Sequence, residues 1–212
     1  MQSRCTFVIS GPSGVGKGTI CEKLISEMDD LALSVSCTTR KPRRLESGAM
    51  ETDGVHYHFV SDECFHKMID DGDFYEYATV HDSCYGTSKT FVEKIKSTGK
   101  DVILEIDMQG ALQVKAVDSQ AILIFILPPD YQELRRRLIG RGSESDEQVK
   151  KRLTDARGQL SYAYAYDYLV VNDDLDSVLE QIKDIIHSCR LKTHHNKRRL
   201  DDITKTFYQE VR

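Results

Sequence analysis

Apolar residues gather into short unbroken runs separated by amphipathic stripes. Cys5–Ser10 (CTFVIS) reads as a buried strand, and Asp101–Asp107 (DVILEID) and Ala121–Leu127 (AILIFIL) read as strands buried on both faces. Tyr168–Val171 (YLVV) is a further short run. Between them the period changes to that of a helix. Ile20, Leu24, Ile25 and Met28 recur at helical spacing, and Thr87–Thr98 carries Phe91, Val92 and Ile95 before Gly99 as a stop. Asp176–Cys189 carries Val178, Leu179, Ile182, Ile185 and Ile186, with Ser177 and Glu180 spaced as a capping box. Strands alternating with helices predict an α/β fold, a parallel sheet flanked by helices with right-handed crossovers.

Two segments break this rhythm. Ser34–Tyr85 is polar, with short alternating runs at Val55–Val60 and Phe74–Val80, and predicts a small mixed lobe with a short antiparallel sheet. Tyr131–Gly158 is charged and helical, with Ser145 and Gln148 placed as a capping box after a turn at Gly140–Gly142. The division expected is a core of residues 1–33, 86–130 and 159–212, a lobe of 34–85 and a lid of 131–158. From Leu191 onward the chain is charged and reads as a frayed helical extension, its His pair and basic run forming a solvated face.

Composition narrows the picture. The 212 residues are 40% hydrophobic, enough for one core with small appended lobes. The net charge of −5, from 29 Lys+Arg against 34 Asp+Glu, gives no global basic field for nucleic acid, so any anion site must be local. Six scattered cysteines without a C-x-x-C pair read as buried or half-buried free thiols of a reducing compartment. No apolar run reaches membrane length, and the first residues run straight into an apolar stretch, so a soluble cytoplasmic protein is expected.

The chemistry starts at GPSGVGKGT, Gly11–Thr19, between the first strand and first helix. Gly11, Gly14 and Gly16 let the backbone turn its N–H groups inward, and the helix beyond adds its positive end, so the loop is a phosphate cradle. Lys17 adds a mobile charge for β- and γ-phosphates. The motif G-x-x-x-x-G-K-[ST] expects a hydroxyl for Mg²⁺ where Gly18 stands. Two arrangements fit. Thr19 supplies the hydroxyl, or Mg²⁺ is held mainly by nucleotide oxygens and water. Glu105 and Asp107, two apart at the end of a strand, would project from one face toward the ligand crevice, where one could orient water on Mg²⁺. In the polar lobe, Arg40 and Arg43 flank a proline, and Tyr57 and Tyr85 add hydroxyl donors. Guanidinium groups pair bidentately with phosphate oxygens, so these four suggest a monophosphate pocket.

Taken with VSCTTRKPR, YHFVS, FYEYA, YGT, LEIDMQG, RLIGRG, KRL and VNDD in order, the loop makes residues 4 to 190 or so resemble the bacterial guanylate kinases. The resemblance implies a P-loop NTPase core, a GMP-binding lobe, a helical lid, and Mg²⁺ with ATP and GMP as substrates. It implies that Gly11, Ser13, Gly14, Val15, Gly16, Lys17, Gly18 and Thr19, with Asn172 and Asp173 on the adenine side, bind ATP. It gives the GMP phosphate to Arg40, Arg43, Tyr57 and Tyr85, and the guanine to Ser36, Glu76 and Thr87, with Asp107 orienting the nucleotide. Lys17, Arg137, Arg141 and Arg152 would stabilise the transferring phosphoryl group; Thr19 and, through water, Glu105 would serve the metal. The base assignment has a physical basis: an ionised carboxylate only accepts, so Glu76 can take both N1–H and the exocyclic amine of guanine. A base lacking those donors would leave it unpaired, which discriminates by roughly 10⁴-fold. Phosphate is already an anionic nucleophile, so no catalytic base is required. The loop between Arg43 and Tyr57 is longer than usual for the family, His56 stands where an acid is common, and Glu105 replaces an Asp of many relatives. Two other readings compete: a guanylate-kinase-like interaction module, which typically loses the P-loop lysine and glycines, and a P-loop kinase for another phosphorylated acceptor.

Overall fold

The computed structural model describes residues 4–45, 48–80, 82–140 and 145–209. The chain opens with β1 (Thr6–Ser10), passes through the glycine loop into α1 (Lys17–Glu27), and returns as β2 (Leu31–Leu33). Two short strands, β3 (Cys37–Thr38) and β4 (His58–Phe59), precede α2 (Asp62–Asp70) and the pair β5 (Phe74–Val80) and β6 (Ser83–Ser88). Then come α3 (Lys89–Ser97), β7 (Asp101–Glu105), α4 (Met108–Val117) and β8 (Ile122–Leu127). The helices α5 (Tyr131–Gly140) and α6 (Asp146–Leu160) lead to β9 (Tyr168–Val171), α7 (Leu175–Arg190) and α8 (Lys197–Gln209).

The main sheet has the order β2-β7-β1-β8-β9, and every pair in it is parallel. Its central strand explains the unbroken apolar runs. Phe7 and Ile9 point into a cluster with Ile20, Leu24, Val178 and Ile182, while Val8 points to the other face with Val102, Leu104, Ala111 and Val114. Both faces are covered by helices, so neither set of alternating positions is polar. Because β1 lies between β7 and β8, the loops at the carboxyl ends of these strands diverge and open a crevice there.

The second sheet has the order β4-β3-β6-β5. It is mixed where the sequence predicts antiparallel pairing: β3 and β4 run parallel, while β6 is antiparallel to both β3 and β5. The run Val55–Val60 yields only the two residues of β4. Its start is consumed in a turn in which Gly54 N–H donates to the Tyr57 carbonyl, and Asp53 Oδ1 takes the Phe59 N–H.

Other expectations need correction at element ends. Ser177 and Glu180 do not form a capping box. Asp174 caps α7 instead, its Oδ1 accepting from Ser177 N–H at 2.9 Å, so Ser177 already lies inside the first turn. The box at Ser145 and Gln148 is present at the start of α6. Helix α3 begins at Lys89, capped by Ser88, and Thr87 stays in β6. Asp107 is not on the strand with Glu105. It caps α4 through Gly110 N–H at 2.9 Å, so the two carboxylates do not share a strand face. At the far end, His195 is buried, not solvated, with Nε2 3.4 Å from Cys5 Sγ. Of the cysteines, all free, Cys64 is exposed. Among the described residues no helix is long and apolar enough to cross a membrane.

Candidate active site

The glycine loop joins β1 to α1 at the crevice. Gly16, the residue before α1, has φ 103°, a left-handed conformation, and a Cβ there would lie 2.7 Å from Asn172 Nδ2. No side chain caps α1 and no acid sits in its first turn, so its leading N–H groups and its positive dipole face the crevice. The Val15 carbonyl is drawn the other way, taking Asn172 Nδ2 at 2.7 Å and Arg137 Nη1 at 3.2 Å. Lys17 Nζ lies 2.7 Å from the Gly11 carbonyl oxygen and 3.3 Å from that of Pro12. The loop thus turns donors inward and spends its carbonyls on its own frame, which is the polarity an anion requires.

Helices α5 and α6 pack on one another through Leu134, Leu138, Val149, Leu153 and Ala156, and they bring two arginines to this loop. Besides Val15, Arg137 donates from Nη2 to the Asn172 carbonyl at 2.9 Å, and Glu133 takes its Nε–H at 2.7 Å. The hydrogen bonds from Arg136, and then those from Arg137, hold the Glu133 carboxyl down at about 2. Arg152 Nη1 donates to the Ser13 hydroxyl. Arg141 lies outside the described residues. Asp173, next to Asn172, accepts the Asp174 N–H at 2.7 Å and is exposed.

Glu105 closes the floor behind the loop. A Cβ on Gly18 would lie 3.8 and 3.9 Å from its two carboxylate oxygens. Burial raises the Glu105 pKa and the charge of Lys17 opposes that rise. Thr19 is exposed one residue on. Among the described residues there is no group of three or more His, Cys, Asp or Glu spaced to hold a metal ion. One hard carboxylate beside the phosphate loop suits a Mg²⁺ that arrives with a nucleotide and keeps much of its own water.

The second sheet arranges the remaining side chains. Glu76 on β5 pairs with Thr87 on β6, and the Thr87 hydroxyl donates to Glu76 Oε1 at 2.7 Å. β3 pairs Cys37 with Gly86, so one further step of that register puts Ser36 opposite Thr87 in the same row. Glu76 is only 9% exposed. Its other oxygen approaches α4 so closely that a Cβ on Gly110 would lie 3.0 Å from Oε2. Burial pushes the Glu76 pKa up, the Thr87 hydroxyl opposes it, and the nearby Asp107 charge adds to the rise.

Two residues along β6, on the same face as Thr87, stands Tyr85. Its ring lies 5.9 Å from that of Tyr57, and the Arg40 guanidinium sits 5.2 Å over the Tyr57 ring. Arg40 is held by Glu51 through two hydrogen bonds of 2.9 Å. Hydrogen bonding first to Glu51 and then to Tyr85 keeps the Arg40 pKa raised against burial. The Arg43 N–H also donates to Glu51, at 2.8 Å, while the Arg43 side chain is exposed. The structure therefore brings Arg40, Tyr57 and Tyr85 together and leaves Arg43 at the rim.

A family model for guanylate kinase matches residues 3–189. The chain belongs to the guanylate kinase family. The guanylate kinase of Caldanaerobacter subterraneus subsp. tengcongensis is 50% identical over 191 residues, 90% of either chain. That of Clostridioides difficile is 45% identical over 90% of this chain and 91% of its own. Among solved structures, guanylate kinase from Anaplasma phagocytophilum superposes with a TM-score of 0.67 at 31% identity, over 91% of this chain and 89% of that one. In this member of the guanylate kinase family, three further residues support these side chains. Glu51 holds Arg40, Glu133 holds Arg137, and Gly110 leaves room for Glu76. The Glu133–Arg137 spacing of four along a helix was a readable signal. Glu51, eleven residues from Arg40 in a long loop, had none.

Proposed function

We propose that the chain transfers the γ-phosphoryl group of ATP to the phosphate of GMP, giving ADP and GDP. The observation that carries this reading is Glu76: a buried carboxylate, paired with Thr87, on the sheet face that also bears Tyr85. Guanine presents two adjacent donors to such a group, and Ser36 and Thr87 add hydroxyls for O6. Asp107 lies close enough to influence the Glu76 charge and orients the nucleotide from the core side.

The donor half is the glycine loop. Backbone N–H groups of the loop, those of Ser13, Gly14, Gly16, Lys17, Gly18 and Thr19, hold the β- and γ-phosphates, while the Val15 N–H stays on the Pro12 carbonyl. Lys17 leaves its carbonyl partners for these oxygens, and Asn172 and Asp173 flank the adenine. Arg40, Arg43, Tyr57 and Tyr85 hold the acceptor phosphate. An oxygen of that phosphate forms the new P–O bond, and the oxygen bridging the β- and γ-phosphorus leaves with ADP. No side chain takes a proton in this step. Charge spreads over the equatorial oxygens, where Lys17, Arg137, Arg141 and Arg152 are placed to meet it. Thr19 and, through water, Glu105 would hold the Mg²⁺ that comes with ATP, and that ion would supply positive charge against the β- and γ-phosphates. Residues 131–158 act as the lid that excludes water, 34–85 as the GMP lobe, and the rest as the core. None of the assigned groups reads the ribose 2′-hydroxyl, so dGMP is a substrate too. Free cysteines suit a cytoplasmic setting.

The test is ADP release with Mg·ATP and a panel of GMP, dGMP, IMP, AMP, CMP and UMP. Preference for GMP and dGMP, with IMP much weaker for lack of the exocyclic amine, is expected. Turnover of AMP or a pyrimidine equal to GMP would refute the role of Glu76.

A further inference from the structure

At the end of the central strand opposite the phosphate loop lies a polar cavity of about 410 Å³. Arg4, Thr6, Lys96, His194, His195 and Lys197 line it. Thr6 opens β1 and the phosphate loop follows Ser10, so the two sites lie about 15 Å apart along the strand at its usual rise. The cavity is therefore separate from the crevice.

Three of its lining residues each carry a buried polar atom with nothing to bond. Thr6 Oγ1, His194 Nε2 and His195 Nδ1 have no hydrogen-bond partner among the described residues. Thr6 is 3% exposed and His195 6%. Leaving such atoms unpaired is costly, and native proteins pair nearly all of them. One tautomer of His195 suits an anion at Nδ1. Burial pushes the Cys5 thiol up to about 12, so Cys5 keeps its proton and can donate it to Nε2, 3.4 Å away. In that tautomer Nε2 accepts from Cys5, Nδ1 carries the imidazole hydrogen, and the Thr6 hydroxyl can donate as well.

The charges agree. Arg4, Lys96 and Lys197 face the cavity against one carboxylate of its lining, Asp118, which is engaged with the Gln120 N–H at 2.9 Å. Lys96 is 14% exposed and pairs with Glu93 at 2.9 Å, so part of its charge is already met; Arg4 and Lys197 have no carboxylate within ion-pair distance among the described residues. Three cationic side chains around a space larger than one water needs, with unpaired polar atoms beneath its wall, call for a compact polyvalent acceptor. We propose that this cavity is a second anion site, built for a phosphate dianion, either free or as the end of a small phosphomonoester.

The test is a titration of inorganic phosphate at fixed pH and ionic strength, following the ring C–H signals of His194 and His195 by NMR. Sodium chloride serves as the control and glycerol 3-phosphate as the monoester. A saturable shift is expected, retained in Lys17→Ala, where the crevice is crippled. In the Arg4→Gln, Lys197→Gln double variant, both changes being at the protein surface, the dissociation constant should rise about tenfold or more. Tighter binding of the monoester assigns an organic phosphate; binding of inorganic phosphate alone assigns the free ion. Thr6→Val provides a second readout. It should raise the melting temperature without phosphate, by removing an unpaired hydroxyl, and weaken phosphate binding. No saturable shift, the same shift with chloride, or unchanged affinity in both variants overturns the proposal.

Discussion

Arg40 and Glu51 meet as a two-pronged pair, Nη1 and Nη2 each 2.9 Å from a carboxylate oxygen. Glu51 also binds the Arg43 backbone, so one carboxylate fixes both ends of the arginine segment. Its hydrogen bonds to Arg40, and then to the Arg43 N–H, hold its own pKa at about 2. On the proposed assignment, Glu51 positions the arginines that hold the acceptor phosphate. Glu51→Gln should raise KM for GMP about tenfold, one charge-assisted hydrogen bond's worth, with KM for ATP unchanged. A lower KM for GMP would mean that Glu51 competes with the substrate for Arg40.

In the proposed role Glu76 must be ionised to accept two guanine hydrogens, yet burial raises its pKa. The acid limb of kcat/KM for GMP should therefore lie above the ordinary glutamate range. The sign for stability is opposite. A raised folded-state pKa favours the folded form at low pH, and this contribution disappears as pH rises through the raised value. Melting temperature and GMP use, followed together against pH, should diverge over that interval. Glu76→Gln should remove the acid limb and cut kcat/KM for GMP by roughly 10²-fold or more, leaving ATP affinity intact. An acid limb unchanged in the variant would assign it to another group.

Arg137 and Arg152 reach the loop from different helices, one through the Val15 and Asn172 carbonyls and the other through Ser13. Replacing either by alanine should lower kcat by about 10²- to 10³-fold, since arginines that meet transition-state charge are worth that or more. Lysine at Arg137 should rescue little, because a point charge cannot span two carbonyls. Single-turnover rates with saturating ATP and GMP would test this; a loss confined to KM would demote both to binding roles.

A Cβ on Gly18 would meet Glu105 at ordinary van der Waals distance, 3.8 and 3.9 Å from its two oxygens. Gly18→Ser should fold normally and place a hydroxyl beside that carboxylate. Mg²⁺ dependence measured at fixed ATP should show an equal or lower half-saturating concentration. A collapse of activity would mean that the space is needed for another ligand of the metal.

Much of this was legible in the chain itself. The runs at Phe7, Ile103 and Leu123 announced a sheet covered on both faces, because only such strands can dispense with polar alternation. The phosphate loop was legible because its glycines, lysine and setting are all local. What failed were features settled by distant partners. Asp107 looked like a strand residue until α4 claimed it as a cap, and Ser177 looked like a cap until Asp174 took that place. His195 sat in a charged stretch, and only packing against Cys5, 190 residues away, buries it. The convergence of Arg40, Tyr57 and Tyr85 depends on the register of β3 and β6, and no spacing rule states that register.

The Val15 carbonyl has two donors, and in the proposed lid closure only one of them would travel. Asn172 belongs to the segment after β9, anchored in the sheet, whereas Arg137 rides on α5. If α5 swings away, Asn172 still clamps the loop. ATP would find its seat already shaped while the protein stood open, at the sacrifice of one arginine's contacts. Neither nucleotide would then have to enter first, and initial-rate patterns with both varied should intersect without a compulsory sequence of arrival.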